Sequence, residues 1–378
     1  MIIGVDYTAA AWQGAGIGRY TRGLIRAAVA LDPTIQYTLF YAARGLPPTS
    51  PYLAELRNLC ANHRNVRARP IPLSPRLLTI LWQRLRLPLR AEYLVGPLDL
   101  LHAPDFVLPP TRARTLLTVH DLTFLVHPEC AEAGLRAYLS QAVPRALART
   151  HMVLVDSQAT ANDLARLLGV TGPHVRLLYP GVEPQFRPLP PEATEPVRQQ
   201  LGLPAQFLLF VGTLEPRKNL VRLLEGFAQA DLPASTALVI AGKRGWLYEE
   251  VFAKLAQLRL ETRVRLLDFV TDEQLPALYN LAQAFVYPSL YEGFGLPVLE
   301  ALACGTPVVT AKTSSLIEVA GQAAILVDPY DPTAIATGIS TALQTAPDLR
   351  AAGPIQARHF NWATTAQTLL TCYAELAA

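Results

Sequence analysis

The sequence predicts an α/β protein made of two doubly wound parallel-sheet (Rossmann-like) domains, and three observations carry that expectation. Its 378 residues exceed what a single core usually organises and suit two domains of ordinary size. Short β-branched or leucine-rich runs alternate with helical patterns along the chain, the signature of a parallel sheet covered on both faces. That alternation breaks once, in the proline-rich stretch 180–196, and then resumes.

In the first half the strand runs are IIGVD, YTLFY, LDLLHA, TLLTVHD, MVLVDS and VRLLYPG, with helical patterns at Gly18–Leu31 and Leu135–Arg149. In the second half they are FLLFVGT, ALVIAG, RVRLLDFV, AFVYPS, TPVVTA and AAILVDP. The expected organisation is a first domain at 1–183, a linker at 184–199 and a second domain at 200–360. A last helical stretch, 361–378, has no strand after it and is expected to cross back onto the first domain. Ligands of such sheets sit at the carboxyl ends of the strands, so two facing sheets would enclose a cleft.

Composition narrows the function. A hydrophobic fraction of 51% supports sizeable cores, and a net charge of +3 is too small to argue for nucleic acid. Cys60, Cys130, Cys304 and Cys372 are scattered without paired metal-ligand spacing and read as reduced structural thiols, which fits the cytosol. MIIGVDYT opens as a strand with none of the features of a signal peptide, and no apolar run reaches membrane-spanning length. The expectation is a cytoplasmic protein, soluble or peripheral at the inner face of the membrane.

The chemistry-bearing residues follow strand ends. In SLYEGFGLPVLEALACG, 289–305, Glu292 and Glu300 bracket a glycine loop that runs into a short helix opened near Pro297 and stopped at Gly305. A helix start reached through glycines suits an anion, whereas carboxylates repel one. A ligand with both phosphates and hydroxyls reconciles the two, and a nucleotide sugar has both. GTLEPRKN, 212–219, sets Arg217 beside Lys218 after a strand, where two cations could neutralise a leaving diphosphate without a metal. In GAGIGR, 14–19, Gly14, Gly16 and Gly18 allow close backbone approach to a diphosphate; a tight turn with close helix packing is the plainer reading.

These motifs together resemble the retaining glycosyltransferases of the family 4 group. The resemblance rests on YEGFGLPVLEALACGTPVV with its two spaced glutamates, GTLEPRKN, GAGIGR and TVHDL, and it covers nearly the whole chain. It implies the GT-B fold, with the first domain on the acceptor side and the second holding the nucleotide-sugar donor. GIGRYT, AGKRGWLYEE and YPGVE further resemble bacterial mannosyltransferases, which implies GDP-mannose as donor and a role in glycan or polysaccharide biosynthesis. Carried over by position, Glu292 would hold a donor-sugar hydroxyl, and the backbone of Gly293, Phe294, Gly295 and Leu296 would meet sugar and diphosphate. Glu300 would accept from the ribose hydroxyls, and Arg217 and Lys218 would stabilise charge developing on the diphosphate. Gly14 and Gly16 would approach the diphosphate, and His120 would lie near the reacting sugar; a strand-end histidine satisfied by backbone groups is its alternative. His102 reads as structural before acceptor-facing.

No D-x-D motif stands at a strand end, since Asp6, Asp121 and Asp156 are single acids, so no metal and no cofactor are expected and the donor is itself a substrate. Retention is implied by the family, with front-face attack and a covalent intermediate both open. The expected partners are the donor and a saccharide or lipid-linked acceptor, with no nucleic acid. The basic amphipathic stretch 76–90 is either a domain helix or a peripheral contact with anionic lipid. Other donors (UDP- or ADP-linked) and a nonhydrolysing epimerase of the same fold are the near alternatives. A nicotinamide-dependent oxidoreductase is remote, because Asp32 ends a helix where a ribose-binding acid should end a second strand.

Overall fold

The computed structural model describes the whole of Met1–Ala378 apart from Ala15 and Phe269, so one residue each of GAGIGR and RVRLLDFV lies outside the described residues. The chain divides into two compact units. Unit 1 comprises Met1–Leu125, Ala133–Gly181 and Trp362–Ala378, and unit 2 comprises Val126–Glu132 and Val182–Asn361.

Unit 1 is built on strands β1 (Ile2–Asp6), β2 (Gln36–Ala42), β3 (Val66–Ile71), β4 (Leu100–Ala103), β5 (Arg114–Val119), β6 (Met152–Val155) and β7 (Val175–Leu177). They pair in parallel in the order β3-β2-β1-β4-β5-β6-β7, so the winding direction reverses between β1 and β4. The central strands are continuous apolar runs because both faces are covered: β4, β6 and nearly all of β5 are buried along their length. The helix Ile17–Leu31 starts at Gly16, whose φ of 51° favours glycine, and packs Leu24, Ile25, Ala28 and Val29 into the core. The C-terminal helix Trp362–Ala377 does return to this unit, burying Ala366, Leu369, Cys372 and Tyr373 in the same cluster.

Unit 2 has strands β8 (Phe207–Val211), β9 (Ala237–Ala241), β10 (Val264–Leu267), β11 (Ala284–Tyr287), β12 (Val308–Ala311) and β13 (Ile325–Val327). Their order, β10-β9-β8-β11-β12-β13, is again parallel throughout and reverses between β8 and β11, where Leu208 and Leu209 face Ala284 and Phe285. Phe210, Tyr287 and Phe285 stack along this seam with centroid spacings of 5.5 Å. Within the proline-rich stretch, Pro191–Leu201 is helical: Pro191 needs no partner for a missing N–H in the first turn, and Gly202 ends the helix in the left-handed conformation.

The stretch 76–90 is a short helix, Pro75–Thr79, that widens into a π-helical turn at Ile80–Arg84. It is half core and half surface. Leu78 and Trp82 are buried, whereas Leu85 is 61% exposed and Arg84, Arg86, Leu87 and Pro88 around it face solvent. All four cysteines are free thiols; Cys130, Cys304 and Cys372 are buried. No described helix is long and apolar enough to cross a membrane.

Candidate functional site

Parallel pairing of β8 with β11 brings together two loops that are more than seventy residues apart in sequence, at the point where the sheet order reverses. Crevices at such points are the usual ligand sites of open parallel sheets. The loop after β8 tightens into a 3-10 turn, Pro216–Lys218, followed by Asn219 at φ 60°. The Asn219 side-chain amide donates to the carbonyls of Pro288 and Pro329 at 2.9 and 2.7 Å, tying this turn to the segments after β11 and β13. Arg217 and Lys218 are thereby aimed at the loop after β11.

There they meet Glu292. Lys218 Nζ donates to one carboxylate oxygen at 2.7 Å and Arg217 Nη1 to the other at 2.6 Å. Arg217 also donates from Nη1 to the Tyr291 carbonyl at 2.9 Å and from Nη2 to Glu215 at 2.7 Å, while Lys218 donates to the Tyr287 hydroxyl. Glu292 and Lys218 are only 6% and 8% exposed, so little water screens these bonds. Burial alone would raise the Glu292 carboxyl, but the charges of Arg217 and Lys218 outweigh it and hold the group at about 2. Burial, aided by repulsion from Arg217, lowers the Lys218 ammonium against the pull of Glu292.

The segment after Glu292 is shaped by two serines. Ser314 accepts from the Glu292 N–H at 3.0 Å, and the Ser315 hydroxyl lies 2.9 and 2.8 Å from the carbonyls of Glu292 and Phe294. Gly293 and Phe294 are buried, with Phe294 packed edge-on against Phe360 at 5.5 Å. Gly295, at φ 110°, turns the chain into the helix Leu296–Ala303, which no side chain caps and whose second residue, Pro297, has no N–H. The positive end of such a start suits an anion. Further along this helix Glu300 is buried and accepts from the Tyr279 hydroxyl at 2.9 Å.

The remaining candidates belong to unit 1. His120, just past β5, is buried between Tyr20 and Phe106, with edge-on ring contacts at 4.9 and 5.6 Å. Its Nδ1 lies 2.6 Å from Asp156 and its Nε2 2.8 Å from the Pro104 carbonyl. A carbonyl only accepts, so Nε2 carries a proton. Burial opposes a charge on this ring, yet Asp156 overcomes it and raises His120 to about 9, leaving an imidazolium at neutral pH. His102 differs: it is fully buried between Tyr373 and Thr118, and burial lowers it to about 3. Gly14 and Gly16 stand before the helix Ile17–Leu31, in a loop held by buried Arg22, which donates to the carbonyls of Ala10 and Gln13 at 2.7 Å.

The sequence shows Glu292, Arg217, Lys218, Glu300 and His120 as polar groups after strands but not the residues they pair with. Glu215 and Asn219 lie within GTLEPRKN, where an acid two residues before an arginine and an asparagine at a helix start are both legible signals. The pairing of His120 with Asp156 has no local signal at all.

Comparison with known proteins identifies the family. The family described as "Glycosyltransferase Family 4" matches residues 14–186, and "Glycosyl transferases group 1" matches 193–358. The chain is 32% identical over 365 residues to O-antigen chain mannosyltransferase B of Escherichia coli, covering 94% of each protein. It is 29% identical over 70% of its length to serotype-specific mannosyltransferase WbdA of Escherichia coli, spanning only 34% of that longer protein. Among solved structures, sucrose-phosphate synthase from Thermosynechococcus elongatus aligns over 100% of this chain and 99% of its own with a TM-score of 0.77 at 22% identity. Anabaena HepE in complex with UDP-glucose aligns over 99% of both chains with a TM-score of 0.75 at 20% identity. The fold and the two family matches define a GT-B glycosyltransferase. This chain belongs to the family 4 glycosyltransferases.

Proposed function

We propose that the protein transfers mannose from GDP-mannose to a saccharide or lipid-linked acceptor in polysaccharide biosynthesis, with retention of anomeric configuration and without a metal. The observation that carries the chemistry is the clamp of Arg217 and Lys218 on Glu292 beside an uncapped helix start. One buried and one partly buried cation beside the N–H groups of a helix start make a preorganised environment for a diphosphate on which charge develops as it leaves. The mannose assignment draws on the similarity to O-antigen chain mannosyltransferase B over nearly the full length.

In this reading Glu292 orients both cations and, through an oxygen freed as they turn to the diphosphate, accepts from a donor-sugar hydroxyl. The amides of Gly293 to Leu296 meet the diphosphate, and Glu300 accepts from the ribose hydroxyls. His120 contributes a positive charge near the reacting sugar while its two ring N–H groups stay with Asp156 and the Pro104 carbonyl, and Gly14 and Gly16 offer backbone approach to the diphosphate. A carboxylate held at about 2 and engaged by two cations is a poor nucleophile, which favours front-face attack over a covalent intermediate on Glu292. The bond from the anomeric carbon to the diphosphate breaks, the bond to the acceptor oxygen forms on the same face, and the acceptor proton passes to the departing diphosphate. The exposed run Arg84 to Pro88 supports peripheral contact with anionic lipid, because Leu85 and Leu87 alternate with Arg84 and Arg86.

The test is incubation of the enzyme with GDP-mannose, UDP- and ADP-sugars in EDTA, with mass analysis of donor and acceptor and NMR of the new linkage. Consumption of GDP-mannose in chelator with an unchanged anomeric configuration is expected. Activity that vanishes in EDTA and returns with Mg²⁺, or a UDP-sugar consumed instead, overturns the corresponding part.

A further inference from the structure

The turn from His127 to Cys130 carries ligand-type side chains that the transfer chemistry does not use. Among the described residues it is the one place where three such groups converge: a ring nitrogen of His127, a carboxylate oxygen of Glu129 and the Cys130 sulfur all lie within 4.8 Å of one another. His127 Nδ1 is 2.9 Å from Glu129 Oε1, and Cys130 Sγ is 3.9 Å from the same oxygen. Ligand atoms arranged tetrahedrally at zinc-like bond lengths stand roughly 3.3–3.8 Å apart. The observed separations straddle that range, so small side-chain rotations suffice to close the set on an ion.

The backbone beneath these side chains is held from three directions. Pro128 opens the 3-10 turn Pro128–Cys130 and restricts its first dihedral. Trp246 Nε1 donates to the Cys130 carbonyl at 2.8 Å, and the His127 ring packs on Tyr291 with centroids 5.9 Å apart. Exposure is graded as an entry path requires: Cys130 is buried, His127 is half-buried, and the Glu129 side chain is 65% exposed. One nitrogen, one oxygen and one sulfur form a borderline-soft donor set, unlike the all-oxygen shells that calcium and magnesium take.

We propose that His127, Glu129 and Cys130 form a binding site for a divalent cation of the zinc class, with three protein ligands and a fourth position open to water. Binding forms one bond each from nitrogen, oxygen and sulfur to the metal, replaces the His127–Glu129 hydrogen bond, and releases the thiol proton to solvent. The site takes no part in sugar transfer, which is expected to proceed in chelator.

The experiment uses the full chain, stripped with EDTA and dialysed. Zinc is titrated in competition with a chromophoric chelator, and cobalt(II) is titrated with absorption read for a thiolate-to-cobalt band. One equivalent of either metal is expected, with proton release and a thiolate band. Cys130→Ser should abolish the band, His127→Ala should weaken zinc binding by at least about tenfold, and Cys60→Ser should change nothing. If Cys130→Ser fails to fold, Glu129→Gln on the exposed ligand replaces it, again with zinc binding weakened by about tenfold or more. No bound equivalent in the wild-type protein, or an unchanged band in folded Cys130→Ser, overturns the site, as does unchanged affinity in both His127→Ala and Glu129→Gln.

Discussion

At the scale of single residues, the central feature is that Glu292 engages two cations, buried Lys218 and partly buried Arg217, before any ligand arrives. Glu292→Gln keeps the shape and removes the charge, leaving Arg217 and Lys218 without their shared anion. Breaking a buried pair in this way should destabilise the protein by about 3–5 kcal/mol. The denaturant midpoint should fall at unchanged slope, and Lys218→Met in the same chain should restore part of the loss. A midpoint within about 1 kcal/mol of wild type would mean the clamp behaves as a solvated surface pair. The second residue-scale prediction concerns His120, which Asp156 raises to about 9. Asp156→Asn removes that support while burial remains, so imidazole resonances followed by NMR should titrate well below the wild-type value. An unshifted titration would locate the cause outside Asp156. Residue pairing is where sequence reading stopped: Glu292, Arg217, Lys218 and His120 were each visible as a polar residue after a strand. Which of them touch depends on strand order and side-chain direction, and no local pattern encodes either.

Elements were far more legible than pairs, because hydrophobic periodicity is a property of the chain itself. β1, β8 and β11 stand where their apolar runs predicted, and the C-terminal helix starts within one residue of its expected position. Where the reading was too plain, local geometry supplied the difference. The basic amphipathic stretch passes from an α-helix into a π-helical turn after Thr79, and part of the proline-rich stretch is helical, with Pro191 at its first position and Pro196 carried inside it. Gly295 is the element-scale test. At φ 110° an alanine is strained, and its Cβ would stand 2.8 Å from a Leu316 methyl, so the entry to the helix Leu296–Ala303 must shift. Gly295→Ala should cost about 1–3 kcal/mol of stability and displace the amides offered to a diphosphate. Calorimetry should show weakened binding of the nucleoside diphosphate and unchanged binding of the nucleoside. Equal loss for both ligands would mean that the helix start does not carry the phosphate contact.

For the whole molecule, each unit has its own sheet and core, and each buries a differently poised ion pair. The Glu292 carboxyl in unit 2 lies below its usual 4.5, so its contribution is present above pH 4.5 and lost as pH falls through about 2. The His120 imidazolium in unit 1 lies above its usual 6.5, so its contribution is complete below pH 6.5 and lost as pH rises through about 9. Between pH 6.5 and 9, unit 1 should therefore weaken by roughly 3 kcal/mol while unit 2 holds its stability. The tryptophans allow this to be read separately, since Trp12, Trp82 and Trp362 lie in unit 1 and Trp246 in unit 2. A variant with the three unit 1 tryptophans replaced by phenylalanine reports unit 2, and Trp246→Phe reports unit 1. Urea midpoints for unit 1 should fall across this pH range, those for unit 2 should stay level, and Asp156→Asn should flatten the unit 1 profile. A fall shared equally by both reporters, or one that persists in Asp156→Asn, would show that the buried His120–Asp156 pair does not set the alkaline limit of this fold.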